Sequence, residues 1–155
     1  MMSIVERLEN DLKQAMKARD QRKLSCIRML KSRLKEREVA QRAKQGPEAK
    51  LSEEEVVDVV GAYAKQRRDS IEAYRQAGRE DLASNEEAEL AIVTEYLPQQ
   101  LGEDELRALV AAAVAEAGAS SAKDMGAVMK LVVPRTKGRA DGKLVSAMVR
   151  EALSG

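Results

Sequence analysis

The stretch Lys123–Leu144, KDMGAVMKLVVPRTKGRADGKL, joins two helices and carries the punctuation for both. Just ahead of it, Ser121 stands three residues before Asp124, an S-x-x-D start signal. Met125, Val128, Met129 and Val132 follow at spacings of three and four, which place them on one helical face. Pro134 reads as the stop, because a proline inside a helix has no N–H to donate. Asp141 reads as the N-cap of a last helix that turns Leu144, Val145, Met148, Val149 and Leu153 inward. Gly138 and Gly142 supply backbone freedom to the turn between the two helices. From Ser121 to Arg150 there are seven basic residues and two acidic ones, in a chain whose formal net charge is only +1. The positive charge of this end is therefore a local feature that the rest of the chain offsets.

Working back from this stretch, Leu106, Leu109/Val110 and Ala113/Val114 mark a helix over Glu103–Ala117 that ends at Gly118. With the two helices around the basic turn it makes a small three-helix unit over 98–155, and Pro98 is the domain boundary. Four further helices are expected over 1–97 as an elongated bundle. The first opens on Ser3 and Glu6 and presents Val5, Leu8, Leu12, Ala15 and Met16. The second has Asp20 as its cap and Leu24, Ile27, Leu30 and Leu34 as its stripe, and it ends near Gly46-Pro47. The third opens on Ser52 with Glu55 closing the capping box, carries Val56, Val59/Val60, Tyr63, Arg67, Ile71 and Tyr74 on one face, and stops at Gly78. Arg79–Asn85 reads as a short connection with room for one helical turn, and Ser84 and Glu87 as the caps of a fourth helix that Pro98 stops. The predicted class is all-α. The absence of Trp and Phe leaves an aliphatic core.

Composition also excludes chemistry. A chain without histidine has no Ser-His-Asp or Cys-His nucleophile system and no His-containing zinc site. No phosphate-cradling glycine loop of the P-loop or dinucleotide type is present. The single cysteine, Cys26, lies mid-helix and reads as a small core hydrophobe. Glu86, Glu87 and Glu89 read as a solvated first helical turn, with metal ligation as the alternative. No cofactor is expected. No run of about 18 apolar residues is available to span a bilayer, and no signal peptide is visible, so the expectation is a cytoplasmic protein without a membrane partner.

Two charged regions remain. Lys17–Lys44 holds eleven Lys or Arg against three acids, and Leu51–Tyr96 holds twelve acids against five bases. The basic helix is either a polyanion-binding face or the electrostatic complement of the acidic helices beside it. The turn Lys137–Lys143 is either a well-punctuated helix connection with solvated cations or a corner whose N–H groups and side chains meet phosphates.

Three stretches resemble a known family: AKQRRDSIEAYRQAG (64–78), GREDLASNEEAELAIVTEYLPQQL (78–101) and GASSAKDMGAVMKLVVPRTKGRADGKLVSAMV (118–149). They resemble the GatB/YqeY family, in particular free-standing YqeY-like proteins. The whole length of those proteins corresponds to the C-terminal tail of the B subunit of glutamyl/aspartyl-tRNA amidotransferase. The match runs in order over nearly the whole chain. Gly102 departs from the usual capping Ser, and Val132-Val133-Pro134 is more β-branched than usual. The resemblance implies a helical bundle followed by a three-helix unit, and contact with a structured RNA, tRNA first. It implies amidotransferase or aminoacyl-tRNA synthesis proteins as further partners. The family's catalytic centres lie on parts with no counterpart here.

The candidate RNA-contacting residues are thus Lys123, Lys130, Arg135, Lys137, Gly138, Arg139, Gly142 and Lys143. The leading expectation is a non-catalytic RNA-binding module. The alternatives are an accessory of a carbon–nitrogen ligase with glutamine as amido-N-donor, and a protein-interaction module that docks through its charge-separated bundle.

Overall fold

The computed structural model describes residues 2–154 and is all-α: among these residues there are seven α-helices, one short 3-10 turn and no strand. The chain divides into two compact units, Met1–Pro98 and Gln99–Gly155. None of the helices described is long and apolar enough to cross a membrane.

The first unit holds α1 (Ile4–Ala18), α2 (Gln21–Gln45), α3 (Glu53–Gln76) and α4 (Glu80–Thr94). Their starts follow from local chemistry. The Ser3 hydroxyl accepts from Glu6 N–H at 3.1 Å, the Asp20 carboxylate accepts from Lys23 N–H at 3.1 Å, and Ser52 and Glu55 exchange two 3.1 Å bonds as a full capping box. Past the last turn of α3, Gly78 has φ +72, and Arg79 N–H returns to the Tyr74 carbonyl at 2.8 Å. Ile4, Leu8, Ile27, Leu30, Leu34, Val56, Val60, Tyr63, Ala64, Val93, Tyr96 and Leu97 form one aliphatic core with two tyrosines.

Two expectations are corrected here. The buried face of α1 is set by Ile4, Leu8 and Ala15, while Val5 (44 % exposed) and Met16 (54 %) face solvent. Leu8, Leu12 and Ala15 keep their expected places; Ile4 at i−4 from Leu8 lies on their face while Val5 and Met16 fall at its edge, and Ile4 N–H also donates to Glu53 Oε1 of α3 at 3.1 Å. The helix α4 begins at Glu80, not at Ser84. Ala83 is fully buried, and Arg75 holds Glu80 at 3.2 Å, so the Arg79–Asn85 segment has both packing and ion-pair reasons to be helical.

The apolar stripe of α2 ends at Leu34, and none of its last eleven residues is buried. That part relies on helix propensity and on its own contacts. Arg42 pairs with Glu38 at 2.9 Å and donates to the Ala49 carbonyl at 3.2 Å, which fastens the following loop.

Cys26 is buried, as its place among apolar side chains requires. Burial, chiefly, pushes its thiol from 9.0 up to about 11. A raised pKa means the neutral thiol is favoured in the fold. Its contribution to stability is complete below pH 9 and is lost as pH rises toward 11. Alkylation by iodoacetamide at pH 8 is therefore expected to be at least roughly tenfold slower in the native protein than in urea. Equal rates would show that the thiol is open to solvent.

The second unit holds α5 (Glu103–Ala117), the 3-10 turn (Ala122–Asp124), α6 (Met125–Thr136) and α7 (Gly142–Ser154). Leu106, Val110, Ala113, Val128, Val132, Val145, Met148, Val149 and Leu153 meet in its core. Leu144 stays 46 % exposed, against the expectation that it turns inward, because it falls on the outer side of the first turn of α7. Pro134 does not stop α6; the helix runs on to Thr136. So near the C-terminus the ring removes a single bond, and the last turn is still closed by Lys137 N–H to the Val133 carbonyl at 3.0 Å. The buried Thr136 hydroxyl adds a bond to the Val132 carbonyl at 3.0 Å.

Candidate nucleic-acid interface

The basic turn leaves α6 at Lys137 and enters α7 at Gly142. Gly138 takes φ +73, a conformation costly for any residue with a Cβ. Arg139 and Ala140 N–H groups both return to the Thr136 carbonyl, at 2.8 and 3.1 Å, so the turn is closed on itself. Asp141 Oδ1 accepts from Lys143 N–H at 3.2 Å and caps α7.

A strap from the start of the unit braces this turn. Leu101 N–H donates to the Arg139 carbonyl at 2.8 Å, and the Gln100 side-chain amide donates to the Gly138 carbonyl at 2.8 Å. Arg139 returns the contact, its Nε donating to the Gln99 carbonyl at 3.2 Å. Both carbonyls of the Gly138-Arg139 pair are therefore satisfied by residues about forty positions away. Gln99, Gln100 and Leu101 were not among the residues expected at this site. The signal available in the sequence was the pair of amide side chains directly after Pro98.

The eight candidate residues separate into groups. Lys137 and Lys143 are exposed at the two ends of the turn, with Gly138 and Arg139 between them. Arg139 is half-buried, and its guanidinium is partly committed to the strap. Arg135 is exposed but pairs with Glu116 of α5 at 2.9 Å. Lys130 is exposed on α6, two residues from each of the buried Val128 and Val132 and so on the opposite face. Lys123 is exposed on the 3-10 turn, which packs against both α6 and α7. Asp124 holds that turn by accepting from Ser120 and Ser121 N–H at 2.9 and 3.2 Å. Gly142 is the first residue of α7 without a positive φ, and a Cβ there would meet nothing within 4 Å.

The two glycines therefore make opposite predictions. Gly142→Ala should leave the melting temperature unchanged or slightly raised, whereas Gly138→Ala should lower stability by about 1 kcal/mol. Equal effects in thermal melts would contradict the assignment of the turn to Gly138 alone.

The glutamates of α4 are not a solvated cluster. Glu86 and Glu89 hold Arg67 of α3 at 3.0 and 3.2 Å, and Glu87 pairs with Arg75. The Arg67 guanidinium also lies 4.8 Å from the centre of the Tyr63 ring. Among the described residues, no group of three or more His, Cys, Asp or Glu is arranged to hold a metal ion. At the end of α4, Arg7 of α1 donates to the Glu95 carbonyl at 2.7 Å and stacks 5.1 Å from the centre of the Tyr96 ring. The Tyr96 hydroxyl donates to Asp11, and burial together with that carboxylate raises its phenol pKa well above the usual range.

A family model described as Yqey-like protein matches residues 5–153, almost the whole chain, including the strap, the basic turn and both helices that frame it. The chain belongs to the YqeY-like family. Among its relatives is the mitochondrial protein "Altered inheritance of mitochondria protein 41" of Saccharomyces cerevisiae, 35% identical over 95 residues, which are 61% of this chain and 49% of the yeast protein. The protein of the same name in Vanderwaltozyma polyspora is 40% identical over 93 residues, 58% of this chain and 46% of that one. In Lachancea thermotolerans the figures are 37% over 95 residues, 61% and 48%. The matched region of this YqeY-like chain thus spans just under half the length of these relatives.

Proposed function

We propose that this chain is an RNA-binding module without catalysis of its own, and that it takes a folded RNA, tRNA first, by its sugar–phosphate backbone. The observation that carries this is the braced basic turn. Lys137 and Lys143 stand exposed at the ends of a turn whose Gly138 and Arg139 carbonyls are occupied by the strap, so the turn presents cations on a fixed backbone. A preformed cationic corner loses little conformational freedom on binding. Phosphate contacts position a nucleic acid without reading its sequence. The tyrosines are not available for base stacking: Tyr63 and Tyr96 are buried and Tyr74 is half-buried. Backbone and shape recognition of a structured RNA need no stacking platform, whereas single-strand binding usually does.

We further take proteins of aminoacyl-tRNA synthesis, an amidotransferase among them, as the partner proteins, and the cytoplasm as the compartment. A role as accessory to a glutamine-dependent carbon–nitrogen ligase is the second reading, favoured by the resemblance of the whole chain to the tail of an amidotransferase subunit. Two assays separate the readings. Filter binding of the full chain to bulk tRNA should be saturable at low salt, and no retention overturns the first. Purified protein supplied with Glu-tRNA, glutamine and ATP should form no amide product, and turnover would establish an activity of its own.

A further inference from the structure

The basic helix α2 carries a second cationic feature, distinct from the C-terminal turn. The twelve acids over Leu51–Tyr96 are the expected complement of its charge. The structure pairs α3 and α4 otherwise: Arg67 takes Glu86 and Glu89, Arg75 takes Glu80 and Glu87, Arg79 takes Asp81, and Lys65 takes Asp69. The ion pairs of α2 run to Glu9 of α1 and to its own Glu38. Among the described residues, Arg33, Arg37 and Lys44 enter no ion pair, and all three are exposed. Spacings of four and seven put them on one flank of the helix over roughly 16 Å. Beside Arg33 and Arg37 an open trough of about 390 Å³ runs along α3, with Val59, Ala62, Tyr63 and Gln66 in its lining. Glu36 and Asp58 also line it, and Asp58 is already engaged within the chain.

We infer that the flank Arg33–Arg37–Lys44 of α2 is a second contact for RNA phosphates; this rests on the RNA-binding reading above. Guanidinium forks suit phosphate oxygens bidentately. The helix holds the row of cations at fixed spacing. An acidic protein segment would need an apolar anchor at the centre of its footprint. Tyr63 in the lining is only 7 % exposed and belongs to the core, so it supplies no such anchor.

The test uses the full chain and bulk deacylated tRNA over a salt series. Four proteins are compared: the wild type, the flank variant Arg33→Gln/Arg37→Gln/Lys44→Gln, the turn variant Lys137→Ala/Lys143→Ala, and all five changes together. The flank variant should bind on the order of tenfold more weakly and lose about 2 to 3 from the slope of log K against log salt. Its melting temperature should stay that of the wild type. Arg33→Lys/Arg37→Lys should recover most of the slope. A flank variant with unchanged affinity and slope overturns the inference, while loss confined to the turn variant leaves the RNA-binding reading standing without it. If the wild type fails to bind tRNA, both fall together.

Discussion

Replacing Lys137 and Lys143 together by alanine is expected to weaken tRNA binding by roughly ten- to fifty-fold near 100 mM salt and to reduce the salt slope by about 2. Each lost phosphate contact removes about 0.9 from that slope on a duplex. Both side chains are exposed, so the melting temperature should move by less than about 2 °C. Arg139→Ala should behave differently. Its Nε bond to the Gln99 carbonyl fastens the strap, and the half-exposed position limits the cost to about 0.5–1 kcal/mol. A stability loss with Arg139→Ala and a binding loss with the lysine pair would separate the brace from the contact surface. The reverse pattern would mean that the lysines hold the turn and Arg139 meets the ligand.

A large single-residue effect on stability is expected at Arg67. Its side chain is 19% exposed and pairs with Glu86 and Glu89, whose side chains are 17% and 32% exposed. Arg67→Ala strands two carboxylates in a half-buried setting and uncovers the Tyr63 ring. Removing one partner of a fully buried pair costs about 3–5 kcal/mol. Partial exposure lowers this to about 2–3 kcal/mol, or roughly 4–12 °C in melting temperature for a chain of this size. Arg67→Lys keeps the charge but loses the planar fork, so it should recover part of the loss. Thermal unfolding at neutral pH followed by circular dichroism checks both variants. A change within 1 °C for Arg67→Ala would show that the network is solvated and contributes little.

What could be read from the sequence was what local chemistry sets. Ser3, Asp20 and Ser52 cap as their residue types require, and Gly46, Gly78, Gly118 and Gly138 all take positive φ. The buried stripe of α2 falls on the residues that periodicity marks; that of α3 does so at Val56, Val60, Tyr63 and Ile71, with Ala64 buried in addition and Tyr74 only half-buried. The misreadings arise where a distant partner outweighs a local signal. Ile4, not Val5, completes the buried face of α1, and its N–H bonds Glu53, a residue 49 positions away. Ser84 resembled an N-cap, but the buried Ala83 and the Arg75–Glu80 pair pull the start of α4 back to Glu80. Pro134 is a stop signal only where the helix must continue well beyond it, and α6 needs one more closing bond.

The site was legible as a charge anomaly and a glycine turn, but its brace was not. Gln100 reaches Gly138 across 38 residues, and no periodicity encodes that meeting. The pairing of charges was likewise hidden. Opposite totals on α2 and on α3–α4 suggested neutralisation between them. Side-chain reach and helix register instead send Arg67 and Arg75 to the glutamates of α4 and leave Arg33 and Arg37 to solvent.

The salt dependence of tRNA binding by the unaltered chain tests the central claim most directly. Binding through the phosphate backbone predicts a straight line of log K against log salt, with a slope of about −2 from the turn alone and about −4 to −5 with the α2 flank engaged as well. A slope near zero, or no binding at 50 mM salt, would contradict it.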